Sequence, residues 1–164
     1  MRPAQPEWHN EDQIETALRK WLKEHNWDVL HRSSQTGEDI HAVSPNGTHW
    51  ILEVKGYPAT FYKKDGSPKR STTIKTQRRT WFIEALGQIV SRIKNANWQY
   101  GVVFPDHPMD SYFERHSLSL PTFLRTALNL WIFLVNESGV TRTLSPQDSE
   151  FKEWDDVLSE TSFS

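Results

Sequence analysis

The stretch Asp39–Lys55, DIHAVSPNGTHWILEVK, decides the architecture. It holds two alternating runs, Asp39–Ser44 and Thr48–Lys55, separated by Pro45-Asn46-Gly47. Proline presets the first backbone angle of a type I turn. Glycine accepts the left-handed conformation that closes a three-residue hairpin loop. In that register Ser44 faces Thr48, Ala42 faces Trp50 and Asp39 faces Glu53. Alternation then sorts the side chains. One face carries Ile40, Ala42, Trp50, Leu52 and Val54 and is a core face. The other carries Asp39, His41, Val43, His49, Ile51, Glu53 and Lys55, so two carboxylates and a lysine converge at the end away from the turn.

Upstream, Asn10 suits an N-cap, with Glu11 and Asp12 in the first turn of a helix. Ile14, Ala17, Leu18, Trp21 and Leu22 form one apolar stripe of that helix, which should end near His25–Asn26. Trp27–Arg32 reads as a strand and Ser33–Gly37 as a loop, while residues 1–9 read as a loose arm. Downstream of Gly56 a basic excursion with little periodicity runs from about residue 57 to Lys75. A helix follows from about Gln77 to Ala96, burying Phe82, Ala85, Leu86, Ile89, Val90 and Ile93. Tyr100–Phe104 and Leu130–Val135 read as buried strands, with a helix over roughly Met109–Ala127 that breaks at Pro121. Val140–Leu144 suits an edge strand, and Phe151–Leu158 a short terminal helix. The order α-β-β-β-α-β-α-β predicts an α/β fold, a mixed sheet flanked by helices, in one domain spanning residues 1–164.

Composition sets outer bounds. A chain of 164 residues can bury one core without staples, and it has no cysteine. Disulfides and thiolate metal sites are thereby excluded, so any metal must be held by oxygen or imidazole. No apolar run is long enough to span a membrane, and the polar start lacks the apolar core of a secretory signal. A cytoplasmic protein with no membrane partner is expected. The eight tryptophans are scattered, and most read as core or interface residues that carry no message about ligands.

The net charge of −2 hides an asymmetry. Lys63, Lys64, Lys69, Arg70, Lys75, Arg78 and Arg79 face a single Asp65 within the segment 63–79, which is +6 while the remainder is −8. Such a patch is the electrostatic footprint of a nucleic-acid partner. The seven basic residues are the expected DNA contacts, and Tyr57, Phe61 and Tyr62 offer rings for base stacking.

Phosphodiester hydrolysis needs an activated water and neutralisation of a phosphorus centre gaining negative charge. A hard divalent cation serves both needs, and Mg²⁺ (or Mn²⁺) prefers a few carboxylates plus water. Asp39 and Glu53, opposed across the hairpin, suit one shared ion, with the Val54 carbonyl as a further ligand. Lys55 points the same way and can orient water or neutralise phosphate.

Gly37-Glu38-Asp39, a short hairpin and then Glu53-Val54-Lys55-Gly56 resemble the core of the PD-(D/E)XK nucleases. Glu15, followed by Leu18, Leu22, Trp27 and Val29, is similar to the leading helix of the Holliday-junction resolvase and restriction endonuclease-like branches. The resemblance implies that Glu15 reaches the metal site, and that Gln88, within Ala85-Leu86-Gly87-Gln88, lies beside it. Glu38 stands where the family loosely keeps a proline, and Arg92 stands where one branch has a tyrosine. Glu-x-Lys alone is a weak signal, since Glu150-Phe151-Lys152 repeats it near the tail without a partner aspartate. His41 and His49 share the carboxylate face, which offers a His-containing metal site as one reading and satisfied surface or packing histidines as the preferred one.

These residues imply a metal-dependent deoxyribonuclease of repair, recombination or defence. The alternatives are a catalytically silent nuclease fold that binds DNA or RNA, and a metal-dependent enzyme on a small phosphate or sugar. Cutting both strands of a duplex would be easiest for a two-fold homodimer or with a partner protein, but no dimer surface is legible.

Overall fold

The structure is a computed structural model describing residues 10–30 and 39–154. The arm 1–9, the loop Ser33–Gly37 with Glu38, and residues 155–164 lie outside the described residues. Within them the chain runs α1 (Glu11–Glu24), β1 (Asp28–Val29), β2 (Ile40–Val43), β3 (His49–Val54), α2 (Ser71–Arg92), β4 (Gln99–Pro105), α3 (Tyr112–Leu118), α4 (Thr122–Leu128), β5 (Leu130–Asn136), β6 (Gly139–Leu144) and β7 (Lys152–Glu153). All seven strands form one sheet in chain order. Pairing is parallel for β3–β4 and β4–β5 and antiparallel elsewhere, so this is a mixed α/β sheet flanked by helices.

The deciding hairpin has the expected register, with Ala42 opposite Trp50 and Ile40 opposite Leu52. Gly47 adopts φ +86°, and the Ser44 and Gly47 amides close the loop onto Thr48 O and Ser44 O. Helix α1 begins with a reciprocal cap: Asn10 accepts from the Gln13 amide and Gln13 accepts from the Asn10 amide. It stops at Glu24, and Asn26 turns left-handed at φ 64°.

Two apolar layers explain why the central strands read as continuous hydrophobic runs. Ile14, Leu18, Trp21 and Leu22 of α1 pack on Trp50, Leu52, Val54, Val103 and Phe133. Phe82, Ala85 and Ile89 of α2 pack on the opposite face against Ile51, Val102, Phe104 and Ile132. Gly139 lets α1 come down on the β5–β6 turn, since a Cβ there would stand 2.3 Å from Trp21 Cδ1. Its φ of +110° also belongs to glycine.

Five expectations need correction. Helix α2 starts at Ser71, so Lys75 is helical and the excursion ends at Arg70. Val90 is 48% exposed, because Phe82, Ala85 and Ile89 already complete the face that meets the sheet. Strand β6 is covered by β7, so Val140–Leu144 is not the edge. Of Phe151–Leu158, Lys152 and Glu153 form β7 and Trp154 is helical, so the expected helix does not begin at Phe151; the rest lies outside the described residues. The first strand is also short, with only Asp28 and Val29 on β1 before the described residues end at Leu30. The break at Pro121 is real and separates α3 from α4.

Candidate functional site

Because β2 runs antiparallel to β3, the start of β2 lies beside the end of β3, and this brings Asp39 to Glu53. Asp39 Oδ2 accepts from the Val54 amide at 2.7 Å, which pins the carboxylate to the strand that carries Glu53. From the other side, Arg19 of α1 donates to Asp39 O at 2.9 Å. The carboxyls of Asp39 and Glu53 lie within hydrogen-bonding reach of each other.

Glu53 is the unusual group. It sits at the C-terminal end of a strand enclosed on both faces and is 2% exposed. Its Oε1 is buried without a hydrogen bond, and the Arg92 guanidinium approaches it at 3.4 Å. Burial, then the charge of Asp39, then their hydrogen bond push the Glu53 carboxyl up to about 8, against the opposing pull of Arg92 and Lys55. Lys55, the residue after β3, is half-buried and its Nζ lies 3.8 Å from Glu84 Oε2.

Helix α2 supplies the lid of this site along one row. Glu84, Gln88 and Arg92 are successive i, i+4 positions, and the outer two meet Lys55 and Glu53. Gln88 stands exposed one turn from each. Glu15 is drawn to Arg19, with Nε to Oε2 at 3.4 Å, and so touches the Asp39 segment through the arginine. Among the described residues, no group of three His, Cys, Asp or Glu is gathered to hold a metal. The donor set is therefore Asp39 and Glu53, with the Val54 carbonyl as the further oxygen expected from the sequence. A buried carboxyl oxygen lacking a hydrogen bond, next to a second carboxyl, is a hard-oxygen pair that Arg92 and Lys55 balance only in part, since the Glu53 carboxyl stays raised. It fits a divalent cation whose remaining positions are filled by water.

Three contributors escaped the sequence reading. Glu84 and Arg92 belong to the α2 row. Glu11 lies one turn before Glu15 on the same helical face. Although solvent reaches it, lost hydration raises its carboxyl above the usual range, as does the charge of Asp39, while Lys55 opposes and Glu15 and Asp12 add. The four-residue spacings 11–15 and 84–88–92 were the available signal.

The basic excursion is a small finger. Phe61 bridges Pro68, the Tyr62 carbonyl accepts from the Gly66 amide, and Lys69 N donates to Thr60 O. Lys63 and Lys64 project at its exposed tip, and Lys69 and Arg70 lead back to α2, whose Lys75 and Arg79 are also exposed. Arg78 is different. It forms a largely buried ion pair with Asp110 and lies 4.3 Å over the Tyr112 ring, so it braces the fold and is withdrawn from the phosphate-binding set. Asp110 also accepts from Tyr57 Oη at 2.6 Å. His41 and His49 bond to each other at 2.8 Å and pack on Trp98. In the Glu150 tripeptide, Glu150 is exposed and Lys152 pairs with Asp148.

Among the described residues no helix is long and apolar enough to cross a membrane. Compared with protein-family models, curated proteins and solved structures, the chain matches none.

Proposed function

We propose that the chain is a divalent-metal-dependent deoxyribonuclease with a PD-(D/E)XK-like site. The observation that carries this reading is the buried Glu53 carboxyl beside Asp39, with an oxygen left without a hydrogen bond and Lys55 two residues on. Asp39, Glu53 and the Val54 carbonyl would hold Mg²⁺ or Mn²⁺, which supplies a water of lowered pKa and charge for the phosphorus centre. Asp39 is held ready by the Val54 amide and by Arg19. Lys55, moving off the exposed Glu84, presents an ammonium to the phosphate oxygens or the attacking water. Arg92 balances Glu53 while the site is empty of substrate, and Glu15 and Gln88 act from farther out. The finger and the exposed face of α2 bind the phosphate backbone in a way that carries little sequence information. The reading brings with it a cytoplasmic location and DNA as partner.

A specific observation favours the silent binding module as second reading. Only two carboxylates converge among the described residues, and both Glu53 and Lys55 are engaged in ion pairs. Purified protein incubated with single-stranded, duplex and branched DNA separates the readings. Cleavage that appears with Mg²⁺ or Mn²⁺ and disappears with chelator is expected, and binding without cleavage under every metal condition would leave the silent module.

The finger has its own expected result. Replacing Lys63, Lys64, Lys69 and Arg70 by Ala should weaken DNA binding irrespective of sequence. Each lost phosphate contact should flatten the log–log salt dependence by about 0.7–0.9. Unchanged affinity and slope in a salt titration would return the finger to ordinary solvated surface.

A further inference from the structure

Beside the carboxylates, a cleft of about 650 Å³ opens between the start of α1, the finger and the first turns of α2. Its walls have a chemistry that core packing does not require. Phe61 and Tyr62 are 41% and 43% exposed, and Trp81 is half-buried on α2 outside either apolar layer. Tyr57 adds a fourth ring, fixed by its hydrogen bond to Asp110. Lys63 and Lys69 line the finger side, and Lys69 is steadied by Gln77 at 3.1 Å. Glu11 lines the opposite side and interacts electrostatically with Asp39 and Lys55, so the cleft adjoins the proposed site of bond cleavage.

We infer that this cleft receives the unpaired bases of a single DNA strand, with its phosphates on the lysine side and its backbone leading to Lys55. In duplex DNA the base faces are already stacked on one another, and only their edges and the phosphates meet a protein. Exposed rings gathered in a concave site gain contact area only from bases that have left the stack. The charge division agrees with that orientation: lysines along one wall attract the backbone, while Glu11 and Asp12 repel it and can accept from base amino groups. The substrate is thus a single strand, or the unpaired portion of a fork or flap. This rests on Asp39, Glu53 and Lys55 being the cleavage site, and it names the substrate class of that site.

The test is fluorescence anisotropy with a short labelled oligothymidylate and with the same strand annealed to its complement, both in chelator so that nothing is cut. The single strand should bind at least about tenfold more tightly, because each base–aromatic stack contributes about 1–3 kcal/mol. Trp81→Ala should weaken that binding by about 5- to 150-fold, the same range expressed as a ratio, while Trp81→Phe keeps most of it. Phe61→Ala, on the exposed finger, should also weaken it without threatening the fold, and duplex binding should hardly change in any of these variants. Equal affinities for the two forms, or no loss in Trp81→Ala and Phe61→Ala, would overturn the inference even if metal-dependent cleavage is found. If the losses occur as expected but no DNA is cut with Mg²⁺ or Mn²⁺, the nuclease reading fails while the cleft stands as a single-strand site.

Discussion

Glu53→Gln should reduce metal-dependent DNA cleavage by at least about a thousandfold while making the metal-free protein more stable. The loss follows from the several kcal/mol of transition-state charge stabilisation that a bound cation provides, and from the removal of one of the two carboxylates that converge among the described residues. Asp39→Ala should be as damaging. Lys55→Ala should cost about a hundred- to a thousandfold, as removal of one well-placed donor typically does. DNA binding should persist in all three, because the basic residues of the finger and of the exposed face of α2 are unchanged.

The gain in stability has an electrostatic origin. The Glu53 carboxyl is pushed up to about 8, from an ordinary value of 4.5, by burial and by Asp39. Between those values the folded protein holds a proton that the unfolded chain has released. Stability is therefore fully present below about 4.5 and declines as pH rises toward about 8. Glutamine cannot ionise, so the variant escapes that decline. Its advantage should be about 1–2 kcal/mol near pH 8 and vanish in acid, the usual relation between a strained site and stability. Metal works in the opposite direction: it must displace the proton, so affinity should rise with pH until about 8 and then level off. Thermal melts and metal titrations across this range measure both trends. An active Glu53→Gln enzyme would remove Glu53 from the chemistry.

Asp110→Ala should lower stability by about 3–5 kcal/mol, the cost of leaving one member of a buried ion pair behind. For a domain of this size that corresponds to a melting-temperature fall of roughly 6–20 °C. Asp110 accepts from Arg78, from Tyr57 Oη at 2.6 Å and from the Tyr112 amide at 3.0 Å. Burial alone would raise its carboxyl, but these hydrogen bonds prevail and hold it below the usual range. Burial and the same aspartate push the Tyr57 hydroxyl up to about 12. The stabilisation from Asp110 is present above its unfolded value of 3.8 and is lost as pH falls through the lower folded one. Asp110→Asn, which can still accept from Tyr57, should be milder. Because Tyr57 follows directly on Lys55-Gly56, the alanine variant should also loosen the finger and reduce activity. A melt indistinguishable from the parent would show that the ion pair contributes nothing.

The hairpin was readable because Pro45-Asn46-Gly47 and strict alternation are local signals, and register followed from them. The α1 cap and its end at His25 were local too. What escaped was set by distant packing. Nothing near Glu53 announces that α2 will cover its face, so a solvated strand face and a buried one looked alike. The start of α2 was placed six residues late because Ser71–Thr76 is polar and shows no apolar stripe. Arg78 looked like its basic neighbours, and only Asp110, far along the chain, distinguishes it. Gln88 and Glu15 were brought in by resemblance, and in the fold they stand one step outward, behind Arg92 and Arg19.

The cover that α2 places over β3 gives the Glu53 proton a further use. Asp39 and Glu53 come from one hairpin, but the dry surroundings that lift Glu53 are supplied by a helix formed from a separate stretch of chain. Should α2 swing away, water would enter and remove the largest cause of the upward shift, leaving only Asp39 to hold the carboxyl above an ordinary glutamate. Its carboxyl carbon resonance, followed against pH, is therefore a gauge of how firmly that helix is seated. Partial openings too slight to alter a melting curve would register there as a drift toward the unperturbed value.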